Sequence, residues 1–292
     1  MANEDNLTRE IRRWWADFPM TYGEDHGSTR FGNDGLDLGL GNLEFFEAAD
    51  LKFKSWNMPL HVGGVPFSRI FPYSRYVGKD VLEVGCGLGF MASCWSEQGS
   101  RVTAVDLNPT SVAQTTQRFS LYSLDGNVLE SDARSLPFSD SSFDYVYSWG
   151  VLHHSPDIST SIRELYRVLR PGGEFGVMLY NRNSLLYRLT VLWSEGVVNM
   201  ENKFLEPLAL ASRYTDGARQ RGNPHTWPVT KKEVRSELFR DFEDLSIEVL
   251  GTDLDYVMDT ISPFSRRLLQ RFRLMDSLSS TLGWSLWITG RK

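Results

Sequence analysis

The residues with the most chemical content lie between Glu83 and Asp106. Val81-Leu82-Glu83-Val84 runs straight into Gly85-Cys86-Gly87-Leu88-Gly89-Phe90. A short apolar strand thus meets a glycine-rich turn that opens a helix. Glycines let the backbone approach a ligand closely, and a helix N-terminus offers unpaired N–H groups. The spacing is G-x-G-x-G, and Phe90 stands where a dinucleotide-binding turn wants its third glycine. Glu83 lies inside the strand, beneath the turn. Its charge would repel a diphosphate but suits a cationic ligand. Asp106 ends the next strand, where a carboxylate accepts hydrogen bonds from a ribose diol. His153 and His154 are the obvious acid/base candidates. Cys86, between glycines and without a visible basic partner, reads as a small spacer, and Cys94 as core. Asp25, His26, Asp34 and Asp37 match no standard calcium-loop spacing, so no metal is expected.

These residues need a scaffold, and the sequence alternates strand and helix signals around them. Strands are predicted at 81–84, 101–106, 127–130, 143–148 and 174–180. Helices fall over 88–98, from Pro109, and over 158–169, the last stopped by Pro171-Gly172-Gly173. Repeated β-α-β order implies right-handed crossovers and a parallel sheet with helices on both faces. Thr230 and Glu233 fit a capping box opening a helix to Phe239. Strands at 245–250 and 284–289 follow, and the short turn at Gly283 suggests an antiparallel, hairpin-like ending. Ahead of the sheet, Ile11, Trp14, Trp15 and Phe18 recur at helical spacing over 7–18. Asn42 can cap a second helix with Leu43, Phe46, Ala49 and Phe53 on one face. Six glycines crowd residues 21–41. That loop is a candidate lid carrying Tyr22 and His26, or else an exposed linker.

The chain divides into an N-terminal helical cap with its glycine-rich loop (1–77), a core (78–182), an insertion (183–228) and a C-terminal part of the sheet (229–292). A length of 292 residues suits one large α/β domain with an appendage. There are 31 Lys and Arg against 37 Asp and Glu, so no global field favours nucleic acid. Two cysteines are too few to staple a secreted fold of this size. The acidic N-terminus lacks a signal-like apolar run, and no stretch approaches about 20 apolar residues. A cytoplasmic protein without integral membrane association is expected.

The glycine turn with its two flanking acids resembles that of the class I S-adenosylmethionine-dependent methyltransferases, above all the small-molecule subgroup with the quinone- and sterol-methylating enzymes. Ser131-Asp132-Ala133 with Leu136-Pro137-Phe138, Ser142-Phe143-Asp144-Tyr145-Val146, Val151-Leu152-His153-His154 with Pro156-Asp157, and Leu169-Arg170-Pro171-Gly172-Gly173 continue the resemblance in order. It implies a Rossmann-like seven-stranded sheet, mostly parallel with one antiparallel strand near the C-terminus and helices on both faces. It also implies S-adenosylmethionine as cofactor and S-adenosylhomocysteine as product. By the same resemblance Gly85, Cys86, Gly87 and Gly89 approach the methionine part, and Glu83 holds the loop and the amino-acid end. Asp106 binds the ribose hydroxyls and Leu107 lies on the adenine. Asp132 accepts from the adenine amino group while the Ala133 N–H donates to the ring. Ser148 and Trp149 sit beside the reacting methyl.

A base is needed only for a hydroxyl or carbon-acid acceptor. His153 and His154 either take that proton or line the cofactor pocket. Tyr22 could close over the reacting centre. His26, Tyr187, His225 and Trp227 are candidates to contact the acceptor; the aromatics of the insertion could equally pack it onto the core. Residues 264–274 carry Arg266, Arg267, Arg271 and Arg273 among apolar residues and read as a sheet cover or an anionic-surface contact. Ser148-Trp149-Gly150-Val151 replaces the Asn-Pro-Pro-Tyr or Asp-Pro-Pro-Tyr motif of amine methylation. O- or C-methylation of a small molecule by a monomer or homodimer is the favoured expectation. An NAD-dependent oxidoreductase and a non-catalytic scaffold are the competing ones.

Overall fold

The computed structural model describes residues 5–17, 41–215, 222–251 and 274–292. Seven strands form one sheet: β1 (Asp80–Val84), β2 (Arg101–Asp106), β3 (Gly126–Glu130), β4 (Phe143–Trp149), β5 (Leu169–Tyr180), β6 (Glu243–Leu250) and β7 (Ser285–Arg291). Their order is β3-β2-β1-β4-β5-β7-β6. β1 pairs in parallel with β2 on one side and β4 on the other. β7 runs antiparallel to both β5 and β6, so it is the one reversed strand.

Neighbouring residues along the inner strands face opposite cores, as the pleat requires. Val81, Tyr145 and Tyr147 join an aromatic-rich cluster with Phe71, Trp95 and Trp287. Leu82, Val84 and Val146 join an aliphatic cluster with Leu165, Phe175 and Phe239. Helices α3 (Phe90–Glu97), α4 (Pro109–Leu121) and α5 (Ile158–Val168) connect the parallel strands. Asn108 caps α4 by accepting from the Thr110 N–H, with Pro109 in the first turn, and Asp157 caps α5 through the Thr160 N–H.

Two helices precede the sheet. In α1 (Asn6–Asp17), Arg12 pairs with Glu130, and the Trp15 carbonyl accepts from the Asn108 side chain at 2.6 Å. Asp5, just ahead of it, pairs with Arg134 at 2.8 Å. These bonds lay α1 across the carboxyl ends of β2 and β3. In α2 (Leu43–Trp56), Asn42 is the cap, its side chain accepting from the Phe45 N–H. Phe45, Phe46 and Ala49 pack with Leu88 of the glycine turn.

Four departures from expectation have physical reasons. β5 begins at Leu169, before Pro171-Gly172-Gly173; Phe143 pairs with Leu169 but Tyr145 with Glu174, so the Pro-Gly-Gly stretch swells out of the ladder. The insertion holds a π-helical segment, Leu186–Val198, and a helix α6 (Pro207–Tyr214) opened by its proline. The capping box at Thr230 forms, but α7 (Lys231–Glu233) loosens at once into a π turn, Val234–Leu238. β7 is fed from a helix over Leu274–Leu282 and not from β6, so β6 and β7 are no tight hairpin. Among the described residues no helix is long and apolar enough to cross a membrane. The 21–39 part of the glycine-rich loop and the arginines at 266–273 lie outside the described residues.

Phe175 anchors the aliphatic side, stacked on Phe239 at 5.2 Å and against Phe242 at 4.3 Å. Truncating it leaves a cavity that the two remaining rings cannot close. Phe175→Ala is expected to cost about 3–5 kcal/mol of stability, read from the shift of the urea unfolding midpoint.

Candidate functional site

In an open parallel sheet a ligand crevice forms where the strand order reverses, beyond the carboxyl ends. Here that point lies between β1 and β4. The turn after β1 and the turn after β4 touch there: a Cβ on Gly85, whose φ is +87°, would come within 2.2 Å of Val151. Only glycine fits. Gly87 (φ +53°) differs, because a Cβ there would meet nothing within 4 Å. The turn is therefore packed tightly at its start and opens onto free space at its middle. Gly89 caps α3 in a left-handed conformation.

Both flanking carboxylates are held near this space. Glu83 is 3% exposed, and its Oε2 finds no hydrogen-bond partner among the described residues. Burial, and secondarily the charge of Asp106, raises its carboxyl well above the usual range. Asp106 accepts from the Gly87 N–H at 3.0 Å and the Asn108 N–H at 2.9 Å. Burial pushes its carboxyl up to about 6, and these backbone donors limit the rise. Two acidic groups beside a glycine turn that opens at Gly87 favour a cation over a diphosphate in their ionised form, and a cation draws them into that form. The residues present therefore fit a sulfonium-bearing adenosyl amino acid.

The adenosine side departs in detail from expectation. Leu107 and Ala133 are half-buried at the crevice edge. The Asp132 carboxylate accepts from the Arg134 backbone N–H at 2.8 Å and from its guanidinium at 2.7 Å. Arg134 in turn holds Asp5, so the adenine-side turn and α1 are latched together. Nothing in the spacing of the sequence signalled that latch.

The end of β4 is used unevenly. Ser148 is fully buried and donates to the Val84 carbonyl at 2.7 Å, tying β4 to β1. Trp149 packs edge-on to Phe67 at 5.2 Å. The Cys86 thiol is buried, with the Thr115 hydroxyl at 3.3 Å, and burial raises its pKa strongly. A reactive nucleophile there is excluded by that burial.

The paired histidines separate clearly. His153 is fully buried, tilted against Tyr180 at 3.8 Å, and neither ring nitrogen has a hydrogen-bond partner among the described residues. Burial, reinforced by His154 and His225, lowers its pKa well below the usual value, so it stays neutral. A base that takes a proton from an incoming acceptor must be reachable, and His153 is not. His154 is also buried, at 6% exposure, but its ring is hydrogen-bonded. Its Nδ1 is 2.8 Å from the His225 carbonyl and 3.2 Å from the Thr226 hydroxyl, and the Trp15 ring lies edge-on at 5.1 Å.

Tyr187 is 2% exposed; its hydroxyl donates to the Pro207 carbonyl within the insertion, and its ring packs in the aromatic-rich core cluster beside Trp284. His225 is half-buried and Trp227 exposed, their rings 6.4 Å apart, with the Arg182 guanidinium 5.8 Å from the Trp227 ring. Tyr22 and His26 lie outside the described residues. Among the described residues no group of three metal-ligating side chains occurs.

A glycine turn at the switch point, flanked by buried acids and opposed by a histidine-bearing loop, defines a class I methyltransferase architecture. The family profile described as "Methyltransferase domain" matches residues 82–177. The chain is 30% identical over 172 residues to a ubiquinone biosynthesis O-methyltransferase of Pseudomonas putida (strain GB-1), covering 56% of this chain and 74% of that protein. Another of that name, from Pseudomonas entomophila, is 32% identical over 46% of this chain and 62% of its own length, so the match spans somewhat under two thirds of that relative. A methyltransferase structure from Methanosarcina mazei superposes with a TM-score of 0.52 at 21% identity, covering 73% of this chain and 92% of that one, which shows the shared fold. The chain belongs to the S-adenosylmethionine-dependent methyltransferases, and the expected NAD alternative falls away.

The raised carboxyl of Asp106 gives a pH signature. Its folded pKa exceeds the unfolded value, so its contribution favours the folded protein in acid and fades as pH rises through about 6. A bound cation interacts best with the ionised form. Affinity for S-adenosylmethionine is therefore expected to rise between about pH 5 and 7, with protons released on binding. Calorimetry in two buffers of different ionisation heat measures both quantities. Asp106→Asn should flatten the rise.

Proposed function

We propose that this chain transfers a methyl group from S-adenosylmethionine to a small-molecule acceptor, at a hydroxyl oxygen first and at carbon second. The carrying observation is the pair of acids, buried Glu83 and half-buried Asp106, around a glycine turn where a Cβ on Gly87 would meet nothing within 4 Å among the described residues. The names of the aligned Pseudomonas relatives support oxygen as the target. The cofactor supplies an activated methyl group for in-line displacement, so positioning carries much of the acceleration.

This chain's residues then divide the work. The backbone of Gly85, Gly87 and Gly89 receives the amino-acid end, with Glu83 beneath it. Asp106 takes the ribose hydroxyls, Leu107 and Ala133 flank the adenine, and Asp132 accepts from its amino group once Arg134 shares it. An ionised carboxylate has room for about four acceptor contacts, so the pairing with Arg134 does not exhaust Asp132. Trp149 and α1 bound the methyl side.

His154 is the proton acceptor of this reading. The His225 carbonyl, 2.8 Å away, can only accept, so it places a hydrogen on Nδ1. The neutral ring then carries its lone pair on Nε2, the basic tautomer. The Thr226 hydroxyl supports the same ring orientation at 3.2 Å. His225 and Trp227, with Trp15 from α1, form the surround of the acceptor.

The direct test is calorimetry with S-adenosylmethionine and with NAD, followed by incubation with a panel of phenolic and enolic acceptors and mass spectrometry for an added methyl group. Binding of NAD alone would overturn the reading. His154→Ala is expected to lower kcat on a hydroxyl acceptor by roughly 10²–10⁴-fold while leaving the Kd for S-adenosylhomocysteine unchanged. His153→Ala should show itself as a lowered melting temperature. Full turnover by His154→Ala on a hydroxyl acceptor would remove it as the base.

A further inference from the structure

Arg118 is the most buried charged side chain away from the crevice, at 2% exposure. It sits on α4, and its fork meets both oxygens of Asp50 on α2, at 2.6 and 2.9 Å. The face of the guanidinium lies 4.4 Å from the centre of the Phe46 ring. Its Nε donates to the Leu88 carbonyl of the glycine turn at 2.6 Å. One turn earlier on the same face of α4, the Thr115 hydroxyl lies 3.1 Å from the Gly87 carbonyl. Two consecutive carbonyls of the turn are thus gripped from α4.

A trans peptide points its carbonyl and its N–H in opposite directions. With the Gly87 carbonyl fixed toward Thr115, the Leu88 N–H must point away from α4. Beside it, a Cβ on Gly87 would meet nothing within 4 Å among the described residues. The next peptide is fixed in the same way by Arg118, and its N–H, from Gly89, closes the turn on the Cys86 carbonyl at 2.8 Å. Without the grip, either peptide plane could rotate, as glycine-rich backbone readily does.

Resting on the proposed function, we infer that Arg118, clamped by Asp50 and seconded by Thr115, is a positioning residue for the cofactor: it orients the peptide planes of Gly87-Leu88-Gly89 so that the turn presents its N–H toward the carboxylate of the bound adenosyl amino acid. The Asp50 contact places α2 in the binding machinery, although no residue of α2 needs to touch the ligand. A desolvated bidentate pair suits this task because its geometry is fixed and its charge-assisted bonds are strong.

The test uses the full chain and three variants, Arg118→Lys, Asp50→Asn and Thr115→Val. The readouts are calorimetric titration with S-adenosylhomocysteine, amide hydrogen exchange at Leu88 and Gly89, and kcat and KM for S-adenosylmethionine. The expected result is a Kd and KM raised about tenfold in Arg118→Lys and less in the other two. Binding stoichiometry should stay near one, kcat at saturation should be largely retained, and exchange at Gly89, whose N–H is bonded to the Cys86 carbonyl, should be faster. A purely structural role predicts the opposite split, with fewer competent molecules and an unchanged Kd, and that result overturns the inference. If Arg118→Lys does not fold, the same two outcomes are read from Asp50→Asn and Thr115→Val. Should the wild-type chain fail to bind S-adenosylhomocysteine, the proposed function falls and takes this inference with it. Wild-type binding matched equally by all three variants removes only the role of Arg118.

Discussion

The turn after β1 follows a left-handed path that exists only while Gly85 presents no side chain to Val151. That contact brings the ends of β1 and β4 together and sets where the crevice opens. It also fixes where Glu83 and Asp106 stand relative to each other. Both carboxyls are pushed toward their neutral forms by burial, Glu83 strongly and Asp106 to about 6. A buried acid held this way is unfavourable by itself and becomes useful once a cation arrives. The crevice is thus complementary in charge to the donor that the family uses, before any side chain of the acceptor pocket is considered.

The elements around this turn act in two layers. Strands supply Glu83, Asp106 and Trp149 at fixed heights, because parallel register leaves little freedom. Helices α2 and α4 then control the backbone of the turn from behind, through Asp50, Arg118 and Thr115. On the open side, α1 reaches Arg134 through Asp5 and His154 through Trp15. The N-terminal helix is therefore connected both to the turn after β3 and to the histidine-bearing loop after β4.

Strands, the glycine turn and both flanking acids were legible because each has a local signature: apolar runs, glycine spacing and position at a strand end. The caps at Asn42 and Thr230 were legible for the same reason. Arg118 and Arg134 were not, because their meaning comes from partners 68 and 129 residues away. A hint did exist in α4, where Ser111, Thr115 and Arg118 place polar groups on the buried stripe that also carries Phe119. The histidine pair shows the other limit. Adjacent residues in sequence, both buried, received different partners: the His225 carbonyl holds His154 at Nδ1, while His153 packs on Tyr180 with neither ring nitrogen hydrogen-bonded among the described residues. The place of Tyr187 was open in the same way, since an aromatic in an insertion can face a pocket or a core with equal ease.

The order of the sheet has a consequence for how the chain assembles during synthesis. β6 borders only β7 in the sheet, and β7 is the strand that joins it to β5. While a ribosome is still making residues before Ser285, β6 has no ladder partner and five parallel strands can already be in place. Both edges of the gap, β5 and β6, then display unpaired backbone groups, which is the state most open to wrong pairing. Insertion of Ser285–Arg291 closes both at once. In this topology a nascent chain passes through a vulnerable interval whose length is set by how fast residues 251–291 emerge.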